Sequence, residues 1–226
     1  MSADSYPCPL PGGAAASEYA LIFDAGRRER LLIAPALFGE GHKLRRFTVE
    51  VMRRLDGAGI DCFLPDLPGL NESGQDLALI EPEDWRMALE AAARHFDATR
   101  VLALRGGGLV LPDKLGGWHY APVTGASLLK TMVRARVIAA RQTGQDEAID
   151  ALMEQGLAMG LDLAGYSLSG EMLRQLGSAV PGKRTGMTVI EQDWLGGSPL
   201  WLRAEPAEDD AQADALAAII SVEINA

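Results

Sequence analysis

Short apolar runs recur along the first half of the chain, and each is typical of a buried strand. They cover residues 19–23, 30–35, 60–64 and 101–104. The first two runs flank a polar turn at residues 24–26. That arrangement predicts a hairpin or a pair of neighbouring entry strands.

Amphipathic segments separate the later runs and predict helices. Residues 43–55 and 83–96 both carry apolar side chains near helical spacing. Strands that alternate with helices at this spacing favour a mostly parallel sheet with helices on both faces. In such sheets the site lies in the loops after the carboxyl ends of the strands. Those loops are residues 34–43, 65–74 and 105–108, and all of them are glycine-rich or charged.

The second half of the chain is less regular. Its predicted elements are strands at 118–123, 188–193 and 200–204 and helices at 127–142, 147–156 and 210–222, with short segments at 161–165 and 169–176. The first two of these helices form an insertion between strands, at about residues 125–160.

Composition places limits on the class of protein. The chain has 226 residues, of which 48% are hydrophobic and 23% charged, so we expect a flexible leader at 1–18 and a single domain at 19–226. The net charge of −10, from 21 basic and 31 acidic side chains, argues against binding to nucleic acid or to anionic membranes.

The same sequence predicts a bacterial cytoplasmic protein. Residues 1–16 lack the basic and apolar regions of a secretory signal. No uninterrupted apolar stretch approaches the roughly 20 residues that a membrane helix needs, so we expect no membrane insertion.

The cysteines and histidines do not have the spacing of a metal site or a disulfide scaffold. Cys8 and Cys62 are far apart, and Cys62 lies inside an apolar run, where a small buried side chain is expected. His42, His95 and His119 are scattered, with the last two expected on a surface and in strand packing. We predict no metal and no cofactor.

The most informative segment is the glycine-rich turn after residues 101–104. An apolar run, a sharp bend and a second apolar run are typical of a nucleophile elbow, in which a strained turn projects a serine. Aligned without gaps, Arg105 takes the serine position. A guanidinium stays protonated and cannot attack a carbonyl, so this elbow is degenerate. The predicted elbow and pocket residues are Arg105, Gly106, Gly107, Gly108 and Asp66.

Five longer segments carry a family resemblance. They are APALFGEGHKLRR at 34–46, LPDLPGLNES at 64–73, APVTG at 121–125, AGYSLS at 164–169 and LWLRAEP at 200–206. With these segments the chain resembles the α/β-hydrolase superfamily and, within it, the type-2 hydrolases associated with bacterial exosortase A systems. The resemblance implies an α/β-hydrolase-like fold, in which the insertion at about residues 125–160 is a reduced helical cap. It also implies a role beside exopolysaccharide production and protein sorting. It also implies that arginine at the elbow is a family trait.

Two departures from a working hydrolase are specific to this chain. A Ser–His–acid triad takes its base from a loop after the last strand, but no histidine follows His119. The acid position offers Glu191 or Asp193. Pro112 comes soon after the glycines, so the helix behind the elbow is expected to be very short. Ordinary triad hydrolysis is therefore not expected.

Charged residues in the loops leave two roles open for the elbow arginine. Arg105 pairs with Glu40 or Asp66 and fills the nucleophile pocket structurally. Alternatively, it binds a carboxylate or phosphate, with Lys43 and Arg45 as further anion-binding candidates.

Two functions follow from these roles. The first is a binding or assembly protein without hydrolysis, whose expected partner is a small anionic or acyl ligand or a second copy of the chain. The alternative is an ester or acyl hydrolase or transferase built around Glu40, His42 and Arg105, with Asp193 as a further catalytic candidate. The enzyme requires His42 to face the elbow.

Overall fold

A seven-stranded mixed sheet forms the centre of the molecule in the computed structural model, which describes residues 1–182 and 185–224. The strands are β1 (Ser2–Pro9), β2 (Ala15–Phe23), β3 (Arg30–Ala34), β4 (Asp61–Pro65), β5 (Arg100–Leu104), β6 (Gly117–Tyr120), β7 (Leu161–Leu163), β8 (Tyr166–Leu168) and β9 (Met187–Ile190). The order across the sheet is β1-β2-β4-β3-β5-β6-β9, while β7 and β8 form a separate hairpin. The pairs from β4 to β9 are parallel, and β2 is antiparallel to both of its neighbours.

Helices cover both faces of this sheet. They are α1 (Gly39–Gly57), α2 (Pro82–His95), α3 (Gly125–Gln142), α4 (Ile149–Met159), α5 (Gly170–Ser178), α6 (Gln192–Leu195) and α7 (Asp210–Ile224). One apolar cluster joins α1 and α7 to one face, and a second joins α2 and the α3–α5 segment to the other. The predicted mostly parallel sheet with helices on both faces is confirmed.

Helix α1 positions the residues that matter most for the site. Its buried stripe includes Leu44, Phe47, Val51 and Leu55, as the apolar spacing predicts. The helix begins at Gly39, four residues before the predicted start, with Glu40 in its first turn. A carboxylate is favoured there because the amino end of a helix carries partial positive charge.

The amino-terminal segment is part of the sheet, so the expectation of a flexible leader at residues 1–18 was wrong. Strand β1 pairs antiparallel with β2 from Ser2 to Pro9. Tyr6 and Cys8 are buried in the core, and the Tyr6 hydroxyl donates to the Asp66 carbonyl oxygen at 2.8 Å. Burial of these two side chains packs the segment against the core. The polar, proline-containing sequence of the segment does not indicate this packing.

The predicted pairing of the first two entry strands was also wrong, because β4 lies between β2 and β3. The turn that joins β2 to β3 crosses the start of β4. Its amide groups at Ala25 and Arg27 donate to the buried Asp61 carboxylate at 3.0 and 2.7 Å. A carboxylate contributed by a third strand therefore holds the connection, and such a contact leaves no signal in the turn itself.

The expected last strand at residues 200–204 is a single 3-10 turn at Leu200–Leu202. Two successive side chains, Leu200 and Trp201, are buried, whereas Leu202 is exposed. A strand would alternate its side chains between faces. Because this segment turns instead, β9 is the last strand of the sheet.

The segment between β6 and β9 packs over the carboxyl ends of the parallel strands. The Tyr166 ring of β8 meets Phe38 edge to face at 5.2 Å, and Leu128 of α3 lies against Gly106. This inserted segment includes the predicted cap at 125–160 and continues through β7, β8 and α5. The predicted domain end at residue 226 lies outside the described residues. Within the described ranges, no helix is both long and apolar enough to cross a membrane.

Candidate functional site

The elbow keeps its strained geometry although it carries an arginine. Arg105 directly follows β5 and has a φ of 51°, in the left-handed region that a branched or bulky residue rarely adopts. A five-residue 3-10 turn, Arg105–Leu109, takes the place of a full helix behind it. The very short helix that Pro112 predicts is thereby confirmed.

Phe38 and Ala121, at the same edge, also have a positive φ although they are not glycines. Phe38 follows β3 with a φ of 54°, and Ala121 follows β6 with a φ of 45°. The three strained residues therefore lie in the loops after three neighbouring parallel strands. Strain that clusters in this way is held in place by surrounding contacts, and it marks this edge as the candidate site.

The Arg105 guanidinium is enclosed by three kinds of contact. Its Nε and Nη2 atoms donate to the two oxygens of Glu40, each at 3.0 Å, and Nη1 donates to the Ala121 carbonyl oxygen at 2.8 Å. The guanidinium carbon lies 4.1 Å from the centre of the Trp201 ring. The Arg105 and Glu40 side chains are 12% and 15% exposed. The pair is therefore largely shielded from water, where charge-assisted bidentate bonds are strongest.

An aromatic and amide layer surrounds this ion pair. The Trp201 ring packs edge to face on Tyr120, with 6.0 Å between the ring centres. The Tyr120 hydroxyl donates to the Gln192 side-chain oxygen. Burial raises the pKa of Tyr120, and the nearby Arg105 charge acts in the opposite direction. The hydroxyl therefore stays protonated and acts as a hydrogen-bond donor.

The glycines of the elbow allow close backbone packing. A Cβ built on Gly107 would lie 2.5 Å from the carbonyl oxygens of Ala34 and Pro35. One on Gly108 would lie 2.6 Å from the buried His119 ring. Close packing against the end of β3 and against His119 of β6 therefore explains the glycines at 107 and 108.

The other two predicted anion-binding residues, Arg45 and Lys43, each have a hydrogen-bond partner within the protein. Arg45 donates to the buried Asp66 carboxylate at 2.7 Å. Lys43 donates to the Trp201 carbonyl oxygen at 3.2 Å. Of the two predicted partners of Arg105, the structure places Glu40 at the guanidinium, while Asp66 belongs to the neighbouring loop.

Among the described residues, the remaining catalytic candidates make no hydrogen bond or ion pair with the elbow and are exposed. His42 is exposed on α1, and it follows Glu40 by two residues, about 200° around the helix. Asp193 is exposed on α6, where the adjacent Gln192 is the side chain that turns inward. Among the described residues, no group of three or more His, Cys, Asp or Glu side chains is arranged to hold a metal ion.

Sequence reasoning missed four groups that shape the site. They are the Ala121 carbonyl and the side chains of Tyr120, Gln192 and Trp201. The motif LWLRAEP marks the region of Trp201, but its expected strand conformation would have pointed that ring elsewhere. The other three groups reach the site through the register of neighbouring strands, which no local sequence pattern indicates.

A second buried cluster lies beside the Asp66 loop. Ser73 accepts a hydrogen bond from the Gly69 amide and donates to Glu18 at 3.0 Å. Burial of Glu18 raises the pKa of its carboxyl group, against the lowering effect of the Ser73 hydrogen bond. Ser73 therefore organises the loop through these two contacts.

Solved structures of hydrolases share the architecture of this chain. Est1E from Butyrivibrio proteoclasticus, solved with ferulic acid bound, has a TM-score of 0.55 at 12% identity, over 92% of this chain and 94% of that one. The esterase domain of a Rhodothermus marinus protein scores 0.54 at 11% identity, over 99% and 98%. Alpha/beta hydrolase domain-containing protein 10 from mouse scores 0.53 at 10% identity, over 100% and 99%. No protein-family model and no curated protein matches the sequence.

These likenesses, at such low identity, concern the fold alone. The chain has the α/β-hydrolase fold, with the elbow at the end of β5. The activities of the compared proteins depend on their own side chains.

Proposed function

We propose that this chain is an α/β-hydrolase-fold protein without triad hydrolysis that acts as a binding or assembly protein. The observation that carries the proposal is the closed state of the elbow. Arg105 stands at the nucleophile position, and Glu40, the Ala121 carbonyl and the Trp201 ring enclose its guanidinium. A cation neutralised in this way is neither a nucleophile nor a free anion receptor.

The triad's other positions support the same proposal. The loop after β9, from which a triad's base would come, instead supplies the Trp201 ring that covers Arg105. The acid position presents Gln192 inward and Asp193 outward. Because Glu40 already neutralises Arg105, a small anionic or acyl ligand at this point would first have to displace that carboxylate. We therefore favour binding through other surfaces.

Ester hydrolysis tests the proposal directly. Purified protein, assayed with short-chain p-nitrophenyl esters, should give no saturable turnover above the uncatalysed rate. The informative variant is His42→Ala, with His95→Ala as its matched control because both histidines are exposed. Saturable turnover that disappears in His42→Ala or Glu40→Gln but persists in His95→Ala would establish the enzyme alternative and refute the proposal.

The wider role in exopolysaccharide production or exosortase-linked sorting, in the cytoplasm of a bacterium, is part of this proposal and rests on the sequence resemblance. Deletion of the gene in its own host should reduce exopolysaccharide output or sorting. In the deletion strain, a folded Glu40→Leu/Arg105→Met double variant should restore the wild-type output, because we expect no reaction to use the pair. A deletion without either phenotype would refute the pathway assignment, and failed complementation by the folded variant would refute a non-catalytic elbow.

A further inference from the structure

Helix α3 has a basic face in a protein whose net charge is −10. The helix contains four basic residues and no acidic residue. Lys130, Arg134, Ile138 and Arg141 are all exposed, and at 100° per residue they lie within an arc of about 80°. These four residues are called the basic face below.

Two of the three cations of this face lack an ion pair in the described part of the chain. Among the described residues, Lys130 and Arg134 have no ion pair, and Arg141 approaches the exposed Asp146 only to 3.9 Å. Arg136, which points away from this face, is by contrast held by both oxygens of Glu147. The basic face thus lies on a helix whose other side is buried, and its Lys130 and Arg134 have no anionic partner among the described residues.

A complementary patch follows β9. Glu191, Asp193 and Glu205 are exposed and have no ion-pair partner in the described part of the chain. Two large apolar side chains accompany them, Trp194 at 58% exposure and Leu202 at 73%. These five residues are called the acidic patch. Exposed tryptophan and leucine beside charges that can pair are typical of a protein interface.

The basic face and the acidic patch begin at the same edge of the sheet. Strands β6 and β9 are parallel neighbours, so their carboxyl ends meet there. Helix α3 begins five residues after β6, and α6, which carries part of the acidic patch, begins two residues after β9. The amino ends of α3 and α6 therefore lie at one edge, on opposite faces of the sheet.

From this charge complementarity we infer that the protein forms a two-fold dimer, in which the basic face of each copy contacts the acidic patch of the other. A two-fold axis at this edge makes the two contacts equivalent and closes the assembly. Ile138 within the basic face matches the apolar groups of the acidic patch, which a polyanion would lack. The inference is independent of whether the elbow catalyses a reaction.

Sedimentation equilibrium of the full chain tests the dimer over about 1 to 100 µM, the range of moderate protein affinities. The basic-face variant is Lys130→Glu/Arg134→Glu, and the acidic-patch variant is Asp193→Lys/Glu205→Lys. The control, Arg28→Glu/Arg100→Glu, reverses two exposed cations at the opposite edge. Each test variant should raise the dimer Kd at least tenfold, whereas the control should not. An increase in salt should also weaken the wild-type dimer.

An equimolar mixture of the two test variants provides the sharpest result. In the heterodimer, the reversed basic face of one variant contacts the reversed acidic patch of the other, and the second contact is native. The mixture should therefore recover the wild-type Kd. Far-UV circular dichroism verifies that the variants are folded. A monomeric wild type, a dimer that resists both reversals, or folded variants that fail to recover on mixing would each overturn the inference.

Discussion

At the scale of single residues, Arg105 shows how a charged side chain can take the place of a nucleophile. Two N–H groups of its planar guanidinium donate to Glu40 and a third donates to the Ala121 carbonyl oxygen. The face of the guanidinium stacks on the Trp201 ring. Lysine, with a compact ammonium group, would not provide both the bidentate geometry and the stacking. The side chain therefore fills the pocket with its own hydrogen bonds largely met.

Removal of only one member of the Arg105–Glu40 pair should lower the free energy of unfolding more than removal of both members. Glu40→Gln leaves the largely buried guanidinium without an anion, and we expect it to lower the free energy of unfolding by about 2–4 kcal/mol. The double variant Glu40→Leu/Arg105→Met should be closer to wild type, because it leaves no unpaired charge. Urea denaturation of the three proteins measures both effects. Equal losses in the single and double variants would contradict this account.

Glu18 should make stability depend on pH. Burial raises the pKa of Glu18 in the folded protein, whereas a glutamate in the unfolded chain has a pKa of about 4.3. The folded state therefore binds the proton more tightly, and its contribution to stability falls as pH rises through the folded pKa. Glu18→Gln removes this titration and keeps an oxygen that can accept from Ser73.

The urea midpoint of Glu18→Gln relative to wild type should therefore increase as pH rises from about 4 to 7. Glu72→Gln removes the same charge at an exposed position of the neighbouring loop and controls for net charge. If the midpoints of Glu18→Gln and wild type differ by a constant amount across this range, Glu18 does not contribute to the pH dependence of stability.

At the scale of elements, the elbow depends on close contact between the turn after β5 and the end of β3. Gly107→Ala would place a methyl group against the Ala34 and Pro35 carbonyl oxygens, 2.5 Å away before any adjustment. We expect a loss of about 1–3 kcal/mol, seen as a lower melting temperature. Gly57→Ala in α1 is the control, because nothing lies within 4 Å of the added carbon. An unchanged melting temperature for Gly107→Ala would show that the turn can move.

Helices were more predictable than strand pairing. The apolar stripe of α1 is readable because it repeats within one segment, and only its first turn was missed. Strand β1 was missed because its burial rests on two residues, Tyr6 and Cys8, in a polar segment. The place of β4 between β2 and β3 depends on long-range pairing, for which neither strand carries a signal of its own.

At the scale of the whole molecule, one apolar cluster joins the sheet to the inserted segment. It includes Leu32 and Ala103 of the sheet, Trp85 of α2, and Leu128 and Leu173 of the insertion. Side chains that share a core should unfold together, so we expect one cooperative transition.

Leu173→Ala tests this cooperativity. The side chain is fully buried in α5, so its truncation should cost about 2–5 kcal/mol. Far-UV circular dichroism and tryptophan fluorescence should shift by the same amount and still coincide. A separate early transition in one probe would show that the insertion is an independent unit.

The sequence by itself determined the layered α/β class, the position of the elbow and the absence of a nucleophile at Arg105. These features follow from local periodicity and from the chemistry of single side chains. Only the tertiary structure decided which partner Arg105 uses, because Glu40, Ala121 and Trp201 lie far apart in the chain and meet through strand order. The start of α1 likewise places His42 at an exposed position about 200° around the helix from Glu40. Contacts between distant segments leave little trace in either segment alone, and these contacts close the elbow.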